Sequence, residues 1–162
     1  MVYDLVVIGG GAAGFFGAIQ AASMRAGLQI LIVEKSPKLL AKVRISGGGR
    51  CNVTHSCFEA RPLAAHYPRG EKFLRAAFRI YQARDVVSWF GERGVQLKTE
   101  EDGRMFPTTD NSQTIIDCFL REAQLYNIKI ETGFDIAELQ KSGGRFSLRC
   151  RAARPARTLR RE

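Results

Sequence analysis

The sequence predicts an α/β fold built on a parallel sheet, and three observations near the N-terminus carry that prediction. Residues 3–8, YDLVVI, are apolar and β-branched, as in a strand buried on both faces. Glycines follow, and the apolar spacing of residues 12–26 is that of a helix ending near Gly27. A second apolar run, QILIVEK at 29–35, completes a βαβ unit, whose crossover we expect to be right-handed.

Helical and strand patterns alternate through the rest of the chain, without internal repeats. Helical spacing is found at 71–82, 84–92 and 112–126, and strand patterns at 95–100 and 127–132. Residues 135–150 read as a hairpin that turns at Ser142, Gly143 and Gly144. We therefore predict one domain over residues 1–150.

Length and composition are those of a globular protein. The chain has 162 residues, of which 45% are hydrophobic and 25% charged. No stretch reaches the roughly 18 uncharged apolar residues of a membrane span. The N-terminus lacks a basic segment and carries Asp4, so it does not resemble a signal peptide. We expect a cytoplasmic protein.

The net charge of +9 is concentrated at the C-terminus. Residues 149–162 hold six arginines and one glutamate, which gives this segment a net charge of +5. We interpret the remaining net charge of +4 as spread over residues 1–148. This distribution predicts no specific nucleic-acid partner, although an arginine-rich tail binds polyanions non-specifically. We predict that residues 151–162 form a basic, disordered tail. Its composition resembles out-of-frame translation of GC-rich DNA, and a natural basic tail is the alternative.

The four cysteines do not predict a metal site. Cys51, His55 and Cys57 form a C-x3-H-x-C cluster, which fits no common zinc spacing. Ordinary reduced thiols are the expected state. Cys51 follows Arg50, a cation that could lower the pKa of its thiol.

The first glycine cluster carries the pattern of a dinucleotide site. Gly9, Gly11 and Gly14 match G-x-G-x-x-G between a strand and a helix, where pyrophosphate approaches the helix N-terminus. Glu34 closes the second strand, twenty residues beyond Gly14, where a carboxylate can bind both hydroxyls of an adenosine ribose. The same carboxylate disfavours the 2′-phosphate of NADP. This motif does not separate FAD from NAD.

A second glycine cluster, RISGGGRCN at 44–52, allows two interpretations. Three consecutive glycines let backbone N–H groups approach an anion or a flat ring closely. Arg44 and Arg50 flank them with permanent charge suited to phosphate. The alternative is a flexible loop with solvent-exposed arginines.

Four segments together resemble one known family. They are VIGGGAAG at 7–14, VEK at 33–35, KVRISGGGRCNVTH at 42–55 and GRMFP at 103–107. Up to about residue 150, the chain resembles the BaiN-type family of bacterial FAD-dependent oxidoreductases, which includes aminoacetone-oxidase-like and bile-acid-precursor-reductase-like flavoproteins. The resemblance implies a Rossmann-like FAD-binding domain of glutathione-reductase type. It also implies that this chain is an incomplete, N-terminal part of a longer protein with an inserted second domain.

The resemblance also implies which residues bind FAD, and it assigns no catalytic residue. The ADP half would lie on the first cluster and the second strand, and the rest of the cofactor on the second cluster. The implied binding residues are Gly9, Gly11, Ala12, Ala13, Gly14, Glu34, Lys35, Arg44, Ser46, Gly47, Gly48, Gly49, Arg50, Cys51 and Asn52. Arg104 is either close to the flavin or purely structural.

By the same resemblance, two parts of the FAD site are missing from the sequence: an ATG-like turn after a later strand, and a glycine-rich segment under the flavin. We therefore expect FAD to bind weakly or not at all. The implied activity is hydride transfer to or from an unidentified small molecule, with NADH, NADPH or the substrate as reductant. A non-catalytic nucleotide-binding module, an inactive truncated remnant and a basic interaction protein are the alternatives.

Overall fold

The computed structural model describes residues 1–152, which form parts of two compact units. The first unit consists of Met1–Ala41 and Phe119–Glu162, of which residues 153–162 lie outside the described part. The second unit is Lys42–Cys118. The central segment is thus a compact unit of its own.

Six α-helices and eight strands are found in residues 1–152. The helices are α1 (Ala12–Met24), α2 (Ala41–Ile45), α3 (Ala60–Ala65), α4 (Glu71–Ile80), α5 (Ala83–Gly91) and α6 (Ser112–Leu125). The strands are β1 (Leu5–Ile8), β2 (Ile30–Glu34), β3 (Thr54–His55), β4 (Leu97–Thr99), β5 (Arg104–Pro107), β6 (Lys129–Thr132), β7 (Phe134–Ser142) and β8 (Arg145–Ala152). All the predicted elements are present; the short α2, α3, β3 and β5 are additional.

The first unit contains a three-stranded parallel sheet in the order β1-β2-β6. Helix α1 connects β1 to β2 and contacts both strands. Its buried side chains Phe15 and Ile19 form a core with Ile32 of the central strand. Among the described strands, β1 and β6 each pair with β2 alone, so β1 and β6 are the two edge strands of this sheet.

The hairpin of β7 and β8 turns where the sequence indicates it. Gly143 and Gly144 both have positive φ, at 56° and 77°, as a two-residue hairpin turn of type I′ requires. Strand β8 continues two residues past position 150, with Arg151 opposite Asp135. The rest of the predicted tail lies outside the described residues.

The second unit contains an antiparallel sheet in the order β3-β5-β4. Helix α5 contacts β3 and β4, and α3 packs against α4. Trp89, Phe90, Met105 and Phe106 are buried in its core. Helix α5 begins with a capping box, in which the Gln82 N–H donates to the Asp85 carboxylate at 2.7 Å. Across residues 1–152, none of the helices combines the length and the apolar character needed to cross a bilayer.

Candidate dinucleotide site

The glycine turn between β1 and α1 requires glycine at position 14 for packing. A Cβ atom on Gly14 would lie 2.0 Å from the carbonyl oxygen of Gly9, far inside van der Waals contact. The turn is also tied to the next strand, because the Gly9 N–H donates to the Val33 carbonyl at 2.8 Å. The third glycine of the motif thus lets the helix begin directly against the strand end.

The N-terminus of α1 is open to an anion. Gly11 is the N-cap, no side chain caps the helix, and its first turn holds no acidic residue. A Cβ on Gly11 would meet no atom within 4 Å, and Gly11, Ala12 and Ala13 are exposed. The first N–H groups of a helix have no partner within the helix, so these amides and the helix dipole favour phosphate here.

Glu34 is held next to this turn at the end of β2. One carboxylate oxygen accepts the Gly10 N–H at 2.8 Å, and the other accepts the Ser36 N–H at 2.7 Å. Burial opposes the charge, but these backbone hydrogen bonds outweigh it and hold the pKa of Glu34 below its ordinary value. Each oxygen keeps a lone pair, so the ionised carboxylate can still accept two ribose hydroxyls.

Lys35 follows Glu34 but takes part in a different contact. Its side chain is exposed, and its Nζ lies 3.3 Å from the carboxylate of Asp135 on β7. Arg151 on β8 lies 3.1 Å from the same carboxylate, which lowers the pKa of Asp135. In this structure, Lys35 contributes to the packing of the hairpin.

The second glycine cluster forms a tight left-handed turn in the second unit. Gly47, Gly48 and Gly49 have φ of 56°, 68° and 86°, and Cys51 has φ of 64°. The Cys51 N–H donates to the Ser46 carbonyl at 2.9 Å and closes the turn. A Cβ on Gly47 would lie 2.7 Å from the Phe106 ring. This segment is therefore a defined turn packed on β5.

The arginines that flank this turn have protein partners. The guanidinium of Arg50 donates to both oxygens of Glu100 and lies 3.5 Å from Asp110. It also stacks over Phe106, with 4.1 Å from Cζ to the ring centroid. Arg44 donates to the Gln113 side chain at 2.8 Å. A phosphate at Arg50 would have to compete with two carboxylates for the guanidinium.

The remaining predicted residues of the second unit have structural contacts. Ser46 donates from its hydroxyl to the Val43 carbonyl at 3.0 Å, whereas Asn52 is exposed. Cys51 is buried, and that burial raises the pKa of its thiol, so the interpretation that Arg50 lowers it is wrong. Arg104 lies on β5, with its Nε 2.6 Å from the Asp102 carboxylate.

Within the first unit, the structure brings the predicted glycines and Glu34 together, whereas Ser46 to Asn52 belong to the second unit. The sequence patterns missed the N–H groups of Gly10 and Ser36 that orient Glu34. They also missed Glu100 and Asp110, the acidic partners of Arg50. No local pattern signals these partners, because Glu100 lies fifty residues beyond Arg50 in the sequence.

The first unit combines a Rossmann-type βαβ unit, a glycine turn at a helix N-terminus without a side-chain cap, and the oriented carboxylate of Glu34 on the second strand. Together these features define a dinucleotide-binding domain of the kind found in FAD-dependent oxidoreductases. The model of one family, the HI0933-like protein Rossmann domain, matches residues 3–159. The chain belongs to this family of FAD-dependent oxidoreductases. The match extends beyond residue 150, where we expected the resemblance to end.

Curated relatives and solved structures agree with this assignment. The chain is 27% identical over 143 residues to a 3-dehydro-bile acid delta(4,6)-reductase of Clostridium scindens, covering 88% of the chain and 34% of the relative. It is 27% identical over 146 residues to a ribosomal RNA dihydrouridine synthase of Escherichia coli, covering 90% and 35%. The chain thus spans about a third of the length of these relatives.

The fold is similar to that of a 3-ketosteroid-delta4-(5alpha)-dehydrogenase from Rhodococcus jostii RHA1, with a TM-score of 0.61. The sequence identity is 15%, and the match covers 90% of this chain and 43% of that structure. At this identity the likeness concerns the fold alone.

Proposed function

We propose that this chain supplies the adenosine-diphosphate-binding part of a flavoprotein, and that the cofactor is FAD. The observation that carries the proposal is the arrangement around Gly11: space where a side chain would be, an uncapped helix N-terminus, and Glu34 fixed by the Gly10 N–H. Pyrophosphate would accept hydrogen bonds from the first amides of α1, and the ribose hydroxyls would donate to Glu34.

We propose that the second glycine cluster contributes to cofactor binding through its backbone. Because Arg50 is engaged by Glu100 and Asp110, the part that Ser46 to Asn52 would have in FAD binding comes from the backbone shape of the glycine turn and not from the guanidinium. Arg50 would then act by holding the turn in shape. In both clusters, the proposed contribution to cofactor binding thus comes from the main chain.

In a longer protein that contains this domain, we propose that FAD transfers hydride to an electron-poor carbon–carbon double bond. The support is the likeness to two relatives whose names describe a delta(4,6)-reductase and a dihydrouridine synthase. FAD supplies the redox chemistry, and the protein supplies orientation and electrostatics. We further propose that NADH or NADPH reduces the FAD. We also propose that the protein is located in the cytoplasm.

The adenosine-diphosphate site of this proposal is tested by NMR titration of the isotope-labelled chain with ADP, FAD and FMN. We expect ADP and FAD to shift the amide signals of residues 10–14 and of Ser36, and FMN, which lacks adenosine, to leave them unchanged. Weak binding suffices, because shifts in fast exchange report it. Equal shifts with FMN would contradict an adenosine site.

Two glycine variants give this titration a matched control. Gly11→Ala keeps a backbone conformation that alanine adopts, with φ of −91° and ψ of −178°, and meets no protein atom within 4 Å. We expect it to fold, with a stability change below about 1 kcal/mol, and to lose the ADP shifts. Gly17→Ala, in the same helix and equally free of contacts, should keep them. A Gly11→Ala variant that binds ADP like the unmodified chain would overturn the proposal.

A further inference from the structure

Helix α4 carries an uncovered apolar strip. Phe73 and Ile80 have 80% and 86% of their surface exposed, and Ala76 between them is exposed as well. Spaced at i, i+3 and i+7, these three residues lie on one side of the helix. We call Phe73, Ala76 and Ile80 the α4 seam.

The packing of α4 shows that its apolar surface is wider than its neighbour covers. Helix α3 contacts α4, and the rings of Tyr67 and Phe78 lie 5.7 Å apart. Yet no residue of α4 is fully buried, and Leu74 and Phe78 are only half-buried. Large apolar side chains exposed on one side of an otherwise packed helix are typical of a surface that binds a partner.

Two cations border the α4 seam at equivalent positions. Lys72 and Arg79 each precede a large apolar seam residue, and both side chains are exposed. If Phe73 and Ile80 are the a positions of a heptad and Ala76 is d, Lys72 and Arg79 both fall at g. Glu71, the one acid of α4, is bound to Arg75 at 2.5 Å. The border of the seam therefore carries positive charge only.

The surrounding sequence strengthens this charge. Residues 59–84 hold six basic and two acidic residues, a net charge of +4 that equals the net charge of the whole of residues 1–148. The segment that contains α3 and α4 therefore has a net positive charge of its own. Acidic side chains on a partner would complement this charge.

We propose that the α4 seam docks an amphipathic helix whose own apolar seam is bordered by Asp or Glu. Heptad spacing sets the register of the two helices, since Phe73 and Ile80 would insert between side chains of the partner helix, and the small Ala76 lets the two helices approach closely. Lys72 and Arg79 select acidic residues at the facing e or g positions. A second copy of this chain is a poor occupant, because its own Lys72 and Arg79 would face these cations.

A designed peptide tests this proposal directly. The probe is a fluorescent three-heptad helix with Leu at a and d and Glu at e and g, and its control carries Lys at e and g. With the full chain, we expect the acidic peptide to bind and Phe73→Ser to weaken it about tenfold. Because the Phe73 ring is 80% exposed, this variant should melt at an unchanged temperature.

Charge reversal supplies the decisive comparison. Lys72→Glu with Arg79→Glu should weaken the acidic peptide about fivefold and strengthen the Lys peptide. The matched control, Arg25→Glu with Arg145→Glu, changes the net charge equally at two exposed sites outside the second unit and should leave both affinities nearly unchanged. Because all variants share residues 153–162, binding by those arginines cancels from the comparison.

The proposal fails if the two charge reversals act alike, or if Phe73→Ser has no effect. It also fails if anionic phospholipid vesicles or single-stranded RNA bind this face in a Phe73-dependent way and the acidic helix does not. The docking surface is separate from the proposed cofactor function, because the ADP-induced shifts at residues 10–14 are measured independently of the peptide.

Discussion

The two glycine clusters of this chain resemble each other in sequence and differ in what their glycines do. In the first, Gly14 is required by packing and Gly11 leaves open space, while the helix that begins there has no side-chain cap and no acidic residue in its first turn. In the second, three glycines in a row adopt left-handed conformations, and the adjacent Arg50 is held by carboxylates. Glycine richness therefore indicates a special backbone in both places, but only the first cluster combines it with a helix N-terminus that has no side-chain cap.

Among substitutions that test this difference between the clusters, we expect Gly14→Ala to have the largest effect on stability. Its Cβ would meet the Gly9 carbonyl oxygen at 2.0 Å, so the turn or the helix has to move. We expect the free energy of unfolding to fall by about 3 kcal/mol or more, as measured by urea denaturation. In the matched control, Gly17→Ala, the added methyl group touches nothing and should be neutral or stabilise by up to about 1 kcal/mol. Similar losses in both variants would show that the motif does not depend on close packing.

In the second cluster, two glycine substitutions separate the effect of the contact with Phe106 from the effect of left-handed backbone strain. In Gly47→Ala, the methyl group would lie 2.7 Å from the Phe106 ring and 2.9 Å from the Asn52 nitrogen, in addition to the left-handed strain. In Gly48→Ala the strain is the same, but no atom lies within 4 Å. We expect losses of about 2–4 kcal/mol for Gly47→Ala and about 1–2 kcal/mol for Gly48→Ala, by urea denaturation. Equal losses would mean that Phe106 does not shape the turn.

How much of this could be predicted from the sequence depends on the range of the interactions. The bounds of β1, α1 and β2 were predicted to within two residues, because the apolar periodicity of this unit is long and its turn is local. Helix α3 has six residues, too few for a periodic signal, and β5 ends in Pro107, which argues against a strand. Arg50 looked like a phosphate ligand because its partner Glu100 lies fifty residues further on. No local pattern reveals such a pairing.

The Glu34 carboxylate gives the first cluster a pH dependence. Because the folded protein holds the pKa of Glu34 below its ordinary value of 4.5, the ionised side chain stabilises the fold above that pH. This contribution is lost as the pH falls through the folded-state pKa. Glu34→Gln loses about 1 kcal/mol at pH 7 because its NH2 group replaces one acceptor. Urea titrations should show the difference between the two proteins narrowing as the pH falls below about 4.5. A constant difference down to low pH would contradict the hydrogen bonds to Gly10 and Ser36.

The smallest effect is expected at Arg50, and it decides what that residue is for. Arg50→Lys keeps the charge but removes the bidentate contact with Glu100 and the flat stack on Phe106. If Arg50 holds the turn, Arg50→Lys and Glu100→Gln should each lower the melting temperature slightly, and the double variant should lower it by less than the sum, because both single variants disrupt the contact between Arg50 and Glu100. If Arg50 instead bound a phosphate of FAD, Glu100→Gln would free its guanidinium and strengthen cofactor binding. Melting curves with and without FAD separate the two roles, because only the second makes the cofactor-induced shift larger in Glu100→Gln than in the unmodified chain.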